Sequence, residues 1–280
     1  MKTINLSDKT KMPLLGFGVY QIENSECQRC VSDALEVGYR LIDTARAYAN
    51  EKAVGEAVSK SGIKRDEIFI TSKLWISDYS EDKALRAVED SLRNLKTDYI
   101  DLFLLHQPFN DIYGAWRALS RLKNEGVLKE IGVSNFYSDR LMDLWLNSEV
   151  KPVLNQIETN PFYQRTFEQN FMSKLGVVTQ SWASFGEGRN NMFKNETLTK
   201  IASKHGKSVA QIILAWLVGR GVGVLPKSVN KERMRENFDI FSFTLDSDDL
   251  ADISTLETGK SLFFSHADPQ IVKMLNELKR

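Results

Sequence analysis

The chain has 280 residues, of which 42% are hydrophobic, and its 37 basic residues balance its 37 acidic residues. A chain with no net charge has no field that would attract nucleic acid or an anionic membrane, so we expect neither partner. The longest apolar stretch, residues 212–218, is far too short to span a bilayer, and the first residues lack the apolar core of a signal peptide. The sequence predicts a soluble, cytoplasmic monomer that acts on small molecules.

Short apolar runs alternate with segments of helical period along most of the chain. The runs typical of strands cover residues 14–19, 40–44, 68–73, 100–106, 131–135, 153–158, 177–182 and 222–227. Apolar residues at helical spacing lie between them, for example over residues 84–95 and 116–122. Buried strands that alternate with helices in this number predict a (β/α)8 TIM barrel, and a doubly wound open sheet is the alternative.

The two ends of the sequence add smaller elements to this fold. Residues 4–6 and 11–14, joined by a turn at residues 7–9, predict a β-hairpin that closes the bottom of the barrel. The segment 246–256 predicts an extra C-terminal helix, because its apolar residues repeat at helical spacing. No linker composition or charge block divides the chain, so we expect residues 1–280 to form a single barrel domain.

Asp43, Lys73 and His106 each stand at the downstream end of a predicted strand, and Tyr48 follows Asp43 by five residues. In a parallel barrel these strand ends open at one face, where active sites are built. A cation beside a Tyr lowers its pKa from about 10, which makes the phenol a usable proton donor. If Asp43 pairs with Lys73, the ammonium stays protonated, and His106 can hydrogen-bond a carbonyl oxygen at the same place.

Other predicted strands also end in polar or aromatic residues. They are Ser134, Asn135, Gln156, Glu158, Trp182, Lys227 and Ser228. A polar group that replaces an apolar one in a barrel is costly unless it is paired or used. The pattern therefore predicts that the whole C-terminal face is a binding site.

Five separated segments of the sequence resemble the aldo-keto reductases. They are residues 43–51, 71–75, 104–108, 132–136 and 225–237. The resemblance runs from residue 12 to beyond residue 237 and is closest to the small bacterial members that reduce aldehydes, ketones and sugar-derived carbonyls such as diketogluconate. It implies a barrel enzyme that moves a hydride from NADP(H) to a carbonyl. The lack of a G-x-G-x-x-G fingerprint agrees with this, because that motif belongs to Rossmann folds.

The resemblance also implies residue roles. Tyr48 would be the proton donor, tuned by Asp43 and Lys73, and His106 would orient the substrate oxygen. Ser134, Asn135 and Gln156 would hold the nicotinamide carboxamide, and Trp182 would stack on the nicotinamide ring. The residues expected at the adenosine 2′-phosphate end are Lys227, Ser228, Arg233, Glu236 and Asn237.

The substrate pocket is expected to be lined by Tyr20, Trp75 and Gln107, with Phe263 and Phe264 as further candidate walls. Residues 185–192 form a loop rich in glycine and asparagine, and ordered loops of this kind are often lids. We expect it to fold over the cofactor pyrophosphate, with Phe185 in contact.

Cys27 and Cys30 form a C-x-x-C pair, which is the local form of a thiol redox motif. The alternative is that both are reduced residues of a helix capped by Ser25 and packed partly against the barrel. The histidines show no ligand spacing, so no metal site is expected.

Two other functions are compatible with the same residues. A barrel lyase or aldolase could use Lys73 to form a Schiff base, although an acidic partner keeps the amine charged and non-nucleophilic. A binding or sensing protein could hold NADP(H) without turnover.

Overall fold

The computed structural model of the protein describes residues 2–278, so residues 1, 279 and 280 of the predicted domain lie outside it. The strands are β1 Thr3–Asn5, β2 Lys11–Pro13, β3 Phe17–Gly18, β4 Leu41–Asp43, β5 Phe69–Leu74, β6 Ile100–Leu105, β7 Leu128–Ser134, β8 Leu154–Glu158, β9 Val178–Trp182 and β10 Gly223–Val224. The helices are α1 Asn24–Val37, α2 Glu51–Lys60, α3 Glu81–Leu95, α4 Ile112–Asn124, α5 Ser138–Asn147, α6 Thr166–Lys174, α7 Glu196–His205, α8 Val209–Gly219, α9 Lys231–Phe238, α10 Ser247–Ser254 and α11 Pro269–Glu277.

Strands β3 to β10 form one parallel sheet of eight strands in chain order. The segment just before β3 also meets β10, because Leu15 pairs with Val224 in a parallel bridge and the Gly16 amide donates to the Val224 carbonyl at 2.8 Å. This contact closes the sheet. The predicted (β/α)8 barrel is confirmed, and the doubly wound sheet is excluded.

The barrel interior is filled by leucines that alternate with outward-facing residues along the strands. Leu41, Leu102, Leu104 and Leu154 are fully buried there and pack in one cluster with Met12 of β2. The antiparallel pairing of β1 with β2 confirms the predicted hairpin, which places Met12 in the lower barrel. Truncating one of these leucines to Ala would cost about 2–5 kcal/mol of stability, because the surrounding strands cannot collapse into the space.

The outer helices begin where their sequences offer capping groups. Ser80 accepts from the Lys83 amide at the start of α3, and Ser208 with Gln211 forms a capping box at the start of α8. The prediction that Ser25 caps α1 is wrong. Ser25 lies inside that helix, which begins at Asn24 with Glu23 at the N-cap position and no side-chain cap.

The C-terminal region contains one more helix than we predicted. The expected helix over 246–256 is α10, capped by Asp246, and α11 follows it at Pro269–Glu277. Leu275 of α11 is buried, and Ile271, Val272 and Leu278 pack against the core, so the helical spacing of these apolar residues was a signal that the sequence analysis did not use. Trp75 donates to the Leu278 carbonyl at 3.3 Å, which ties the end of this region to the barrel. Among residues 2–278, no helix has the length and apolarity needed to cross a bilayer.

Candidate active site

The four titratable residues from the strand ends lie together at the C-terminal mouth of the barrel. Asp43 ends β4, Lys73 lies in β5, and His106 follows β6 directly. Tyr48 ends the short 3₁₀ helix that connects β4 with α2. Because neighbouring parallel strands end at the same face, residues far apart in the sequence become one cluster.

The ammonium of Lys73 is the centre of this cluster. Its side chain is fully buried, and Nζ donates to Asp43 Oδ1 at 2.5 Å, to the Thr44 carbonyl at 2.9 Å and to the Tyr48 hydroxyl at 3.4 Å. An ammonium has three hydrogens and no acceptor, so these contacts use all of its hydrogens. The Tyr48 oxygen is therefore the acceptor in this contact, and the phenolic proton is not used in it.

Burial and ion pairing act on Lys73 in opposite directions. Burial lowers the pKa of the Lys73 amine because the charged form loses water, while the charge of Asp43 and its hydrogen bond oppose that shift. Removing one partner of such a buried pair leaves an uncompensated charge and costs about 3–5 kcal/mol. The pair is thus a fixed unit of the barrel.

Asp43 has a second partner on the far side of the barrel. Gln156 of β8 donates from Nε2 to Asp43 Oδ2 at 2.8 Å, and the same nitrogen donates to Gln180 Oε1 at 2.8 Å. Gln180 was absent from the predicted site. Strand alternation was the available signal, since Gln180 lies two residues before Trp182 and so shares its face of β9.

Aromatic rings surround Tyr48 and His106. The Tyr48 ring lies 4.8 Å from that of Tyr20 and 5.7 Å from that of His106, and the His106 ring meets Trp75 edge-on at 5.1 Å. Tyr20 is 41% exposed, whereas Trp75 is buried. Gln107 is also buried, and the Tyr79 hydroxyl holds both its backbone carbonyl and its backbone amide.

The predicted nicotinamide residues are joined by hydrogen bonds. Asn135, in a left-handed conformation with φ 65°, donates to the His106 carbonyl at 3.1 Å and to Ser134 Oγ at 3.2 Å. Trp182 donates to Asn135 Oδ1 at 2.8 Å, and Ser134 donates to the Gln156 carbonyl at 2.9 Å. The strand ends of β7, β8 and β9 thus form one polar surface beside His106.

The predicted phosphate end follows β10 and continues onto α9. Lys227 and Arg233 are exposed, and neither forms an ion pair with any residue from 2 to 278. Ser228 is different, because its hydroxyl donates to the Asn230 carbonyl at 3.1 Å and accepts from the Asn230 amide. Glu236 is exposed on the same helix, and Asn237 is buried.

The loop after β9 contacts the C-terminal segment. Arg189 donates to the Leu262 carbonyl at 2.8 Å and lies 4.2 Å from the Phe263 ring. The Leu262 amide donates in turn to Glu158 Oε1 at 2.9 Å, so both backbone polar groups of Leu262 are held. Phe263 consequently packs against Trp182, with ring centroids 5.2 Å apart.

That loop is itself a run of tight turns, which the sequence did not predict. Glu187, Gly188, Asn190 and Asn191 all have positive φ. Gly186 also has positive φ, and a Cβ there would lie 2.5 Å from Leu262 Cδ1. Gly186 therefore permits the close approach of the loop to the C-terminal segment.

Cys27 and Cys30 are buried and free on α1. Burial, with a smaller contribution from Cys30, raises the pKa of Cys27 to about 12, and burial also raises the pKa of Cys30. Both thiols are thus poor nucleophiles at neutral pH. In residues 2–278, no group of three or more His, Cys, Asp or Glu side chains is placed to hold a metal ion.

Comparison with known proteins agrees with this arrangement of strand-end residues. The profile of the aldo/keto reductase family matches residues 14–258. The chain belongs to the aldo/keto reductase family. It is 42% identical to methylglyoxal reductase DkgA of Escherichia coli (strain K12) over 262 residues, which cover 92% of this chain and 94% of that protein.

A second relative and a solved structure extend the comparison. Glyoxal reductase of Bacillus subtilis (strain 168) is 41% identical over 256 residues, covering 91% of this chain and 92% of that protein. The structure of a Bombyx mori aldo-keto reductase in complex with NADP is 31% identical, has a TM-score of 0.90, and covers 97% of this chain and 96% of that chain. The aldo/keto reductases use nicotinamide cofactors.

Proposed function

We propose that this aldo/keto reductase uses NADPH to reduce small aldehydes and ketones to alcohols, with Tyr48 as the proton donor. The observation that supports this best is the buried Lys73 ammonium, which donates to Tyr48 at 3.4 Å while Asp43 holds it at 2.5 Å. A positive charge beside a phenol stabilises the phenolate that remains after the proton has left. Tyr48 is thereby suited to give its proton to a developing alkoxide.

The other strand-end groups have complementary roles in this proposal. His106 hydrogen-bonds the same substrate oxygen, since its ring lies 5.7 Å from that of Tyr48. Tyr20 and Trp75 form apolar walls beside the reacting carbonyl. The walls carry no side-chain charge, which suits a small uncharged substrate. Because two relatives are named methylglyoxal reductase and glyoxal reductase, we propose short dicarbonyl aldehydes as the preferred substrates.

The residues of the mouth fit a nicotinamide dinucleotide phosphate. Lys227 and Arg233 are exposed cations without ion pairs among the described residues, which suits a dianionic phosphate. Gln156 has committed both amide hydrogens, so its oxygen is left to accept from the carboxamide. Trp182 offers a half-buried aromatic face. The bound cofactor supplies the hydride, and the chain supplies orientation and the proton.

The experiment that tests this proposal follows the loss of NADPH absorbance with methylglyoxal, glyoxal, aryl aldehydes and keto sugars. We expect turnover with at least one dicarbonyl. Binding of NADPH without turnover on the whole panel would favour the sensing function. A borohydride-trapped adduct with a carbonyl substrate that is lost in Lys73→Met would favour the Schiff-base enzyme, although Lys73 has all three hydrogens committed.

We also propose that the chain acts as a cytoplasmic monomer and folds as a single barrel domain. The unbroken strand order of the barrel supports the single domain. Sedimentation of the full chain at several concentrations measures the oligomeric state, and a single unfolding transition would support one domain.

A further inference from the structure

Gln180 is a buried polar side chain that the proposed function leaves without a role. It lies in the middle of β9 and is 0% exposed. In the parallel register it stands opposite Gln156 of β8 on one side and opposite Gly223 of β10 on the other. A fully buried amide is costly unless its hydrogen bonds are satisfied.

The neighbours of Gln180 leave space for its side chain to lie across the barrel. A Cβ at Gly223 would come within 3.3 Å of Gln180 Cγ and of Met12 Cε, so a larger residue there would crowd both. With glycine at this position, Gln180 Oε1 accepts from Gln156, and Gln180 Nε2 lies 3.7 Å from Met12 Sδ. The packing of β10 and of the hairpin thus fixes where the amide points.

The direction of these hydrogen bonds follows from the chemistry of Asp43. A carboxylate accepts only, so the Gln156 atom that faces it must be the nitrogen Nε2. That nitrogen carries a second hydrogen, which Gln180 Oε1 accepts. If the Gln156 amide were reversed, oxygen would face oxygen at both contacts. Gln180 therefore favours the one orientation of Gln156 that supports Asp43.

We propose that Gln180 is a positioning residue that acts on Tyr48 through a chain of hydrogen bonds. The chain runs from Gln180 to Gln156, then to Asp43, and from there through Lys73 to the Tyr48 hydroxyl. Because Gln180 accepts one amide hydrogen of Gln156, the other stays directed at Asp43 Oδ2. Asp43 then has a donor on each oxygen, and its charge offsets less of the Lys73 charge at Tyr48.

This inference depends on the proposed function only for its effect on turnover. When Gln180 cannot accept, a buried N–H of Gln156 is left unsatisfied, and the amide turns away from Asp43. Asp43 then offsets more of the Lys73 charge, the phenolate of Tyr48 is less stabilised, and the pKa of Tyr48 rises. The alkaline side of the pH profile should move upward with it.

Two variants of Gln180 separate positioning from filling of space. Gln180→Met has a similar volume and no acceptor at the amide position, whereas Gln180→Glu keeps an oxygen that accepts from Gln156 in either protonation state. Gln180→Asn is the substitute if the Met variant does not fold, because it withdraws the amide by one carbon. Met12→Leu probes the other end of the amide, since it removes the sulfur beside Nε2 and leaves Oε1 in place.

Two measurements are made on each variant. The first is kcat and KM for methylglyoxal against pH. The second needs no turnover and titrates the Tyr48 phenolate by ultraviolet difference absorbance against the same variant carrying Tyr48→Phe. We expect Gln180→Met to lower kcat about tenfold with KM within about threefold, and to raise the pKa of Tyr48 by about half a unit or more. Gln180→Glu should recover most of kcat.

The outcomes distinguish this inference from the proposed function. An inactive wild type would overturn the reductase proposal, while the Tyr48 titration would still decide the role of Gln180. An unchanged titration and kcat in Gln180→Met would overturn the role of Gln180 alone. Equal losses in Gln180→Met and Gln180→Glu would also overturn it, because they would mean that Gln180 only fills space.

Discussion

The interior of the site and its rim differ in how their charged groups are paired. In the interior, the fully buried Lys73 donates to three oxygens, and each oxygen of Asp43 accepts from a different side chain. On the rim, Lys227 and Arg233 are exposed and form no ion pair within residues 2–278. These internal contacts hold the interior in one geometry, as proton transfer requires. The rim presents charge that a ligand can neutralise.

The largest effect is expected in the interior, at the proposed proton donor. Tyr48→Phe removes the hydroxyl and keeps the ring between Tyr20 and His106. We expect kcat to fall by about two to four decades, with NADPH affinity within a few-fold, because the hydroxyl serves the reaction and not the binding. Steady-state kinetics and quenching of tryptophan fluorescence measure these two quantities. A variant that keeps most of its kcat would remove Tyr48 as the acid.

Lys73→Met should be nearly inactive for a different reason. It deletes the cation beside Tyr48 and leaves Asp43 buried with Gln156 as its remaining side-chain partner. We expect a loss of about 3–5 kcal/mol in the free energy of unfolding and an upward shift in the pH profile of any residual activity. Urea unfolding and kcat against pH measure both. An unshifted profile would mean that Lys73 serves the fold and does not tune Tyr48.

The residues of the site differ in how far the sequence could predict them. Asp43, Lys73 and His106 were predictable because strand ends can be located from apolar runs, and a parallel barrel gathers them at one face. Strand alternation could place Gln180 on the same face as Trp182 but could not give it a role, since the contribution of a buried amide depends on partners from other strands. The contact of Arg189 with Phe263 was hidden as well, because the left-handed turns that aim it follow no periodic pattern.

On the rim, Arg233→Ala should weaken the binding of NADPH by about one to two decades in the dissociation constant, since a charge-assisted contact to phosphate is worth roughly 1.5–3 kcal/mol. NADH lacks the phosphate and should be affected far less, and added salt should reduce the preference. Arg235→Ala is the matched control, because Arg235 is an exposed cation of the same helix that already pairs with Glu232. Dissociation constants for both cofactors test this. Equal losses of affinity for NADH and NADPH would mean that Arg233 supports the fold and does not contact the phosphate.

His266 extends the comparison to the C-terminal segment, where a buried group is held without a paired charge. Burial, with a smaller contribution from Arg165, lowers the pKa of His266 to about 4. An unfolded His titrates near 6.5, so between these values the unfolded chain binds more protons, and stability falls as the pH falls. Above pH 6.5 both states are neutral, and His266 makes no pH-dependent contribution.

His266→Phe should remove that dependence, because the ring would remain among Phe109, Tyr137 and Phe264 without a titrating nitrogen. Urea unfolding at pH 7.5 and at pH 5 should show that wild type loses about 2 kcal/mol more than the variant. Parallel losses in the two proteins would mean that His266 is protonated in the fold, contrary to its burial.

The smallest effect is expected at Cys27 and Cys30, which lie in neither region of the site. Both thiols are buried, so Ser at these positions would bury two hydroxyls, and the double Ser variant should keep its kcat while losing stability.

The double Ala variant avoids that cost and isolates the chemistry of the thiols. We expect it to match the kcat and NADPH affinity of wild type, because the raised thiol pKa values disfavour the reactive thiolate. The measurement is activity before and after treatment with peroxide. A loss in wild type that the double Ala variant escapes would mean that α1 opens far enough to expose the pair, and the redox function of the motif would then replace the packing one.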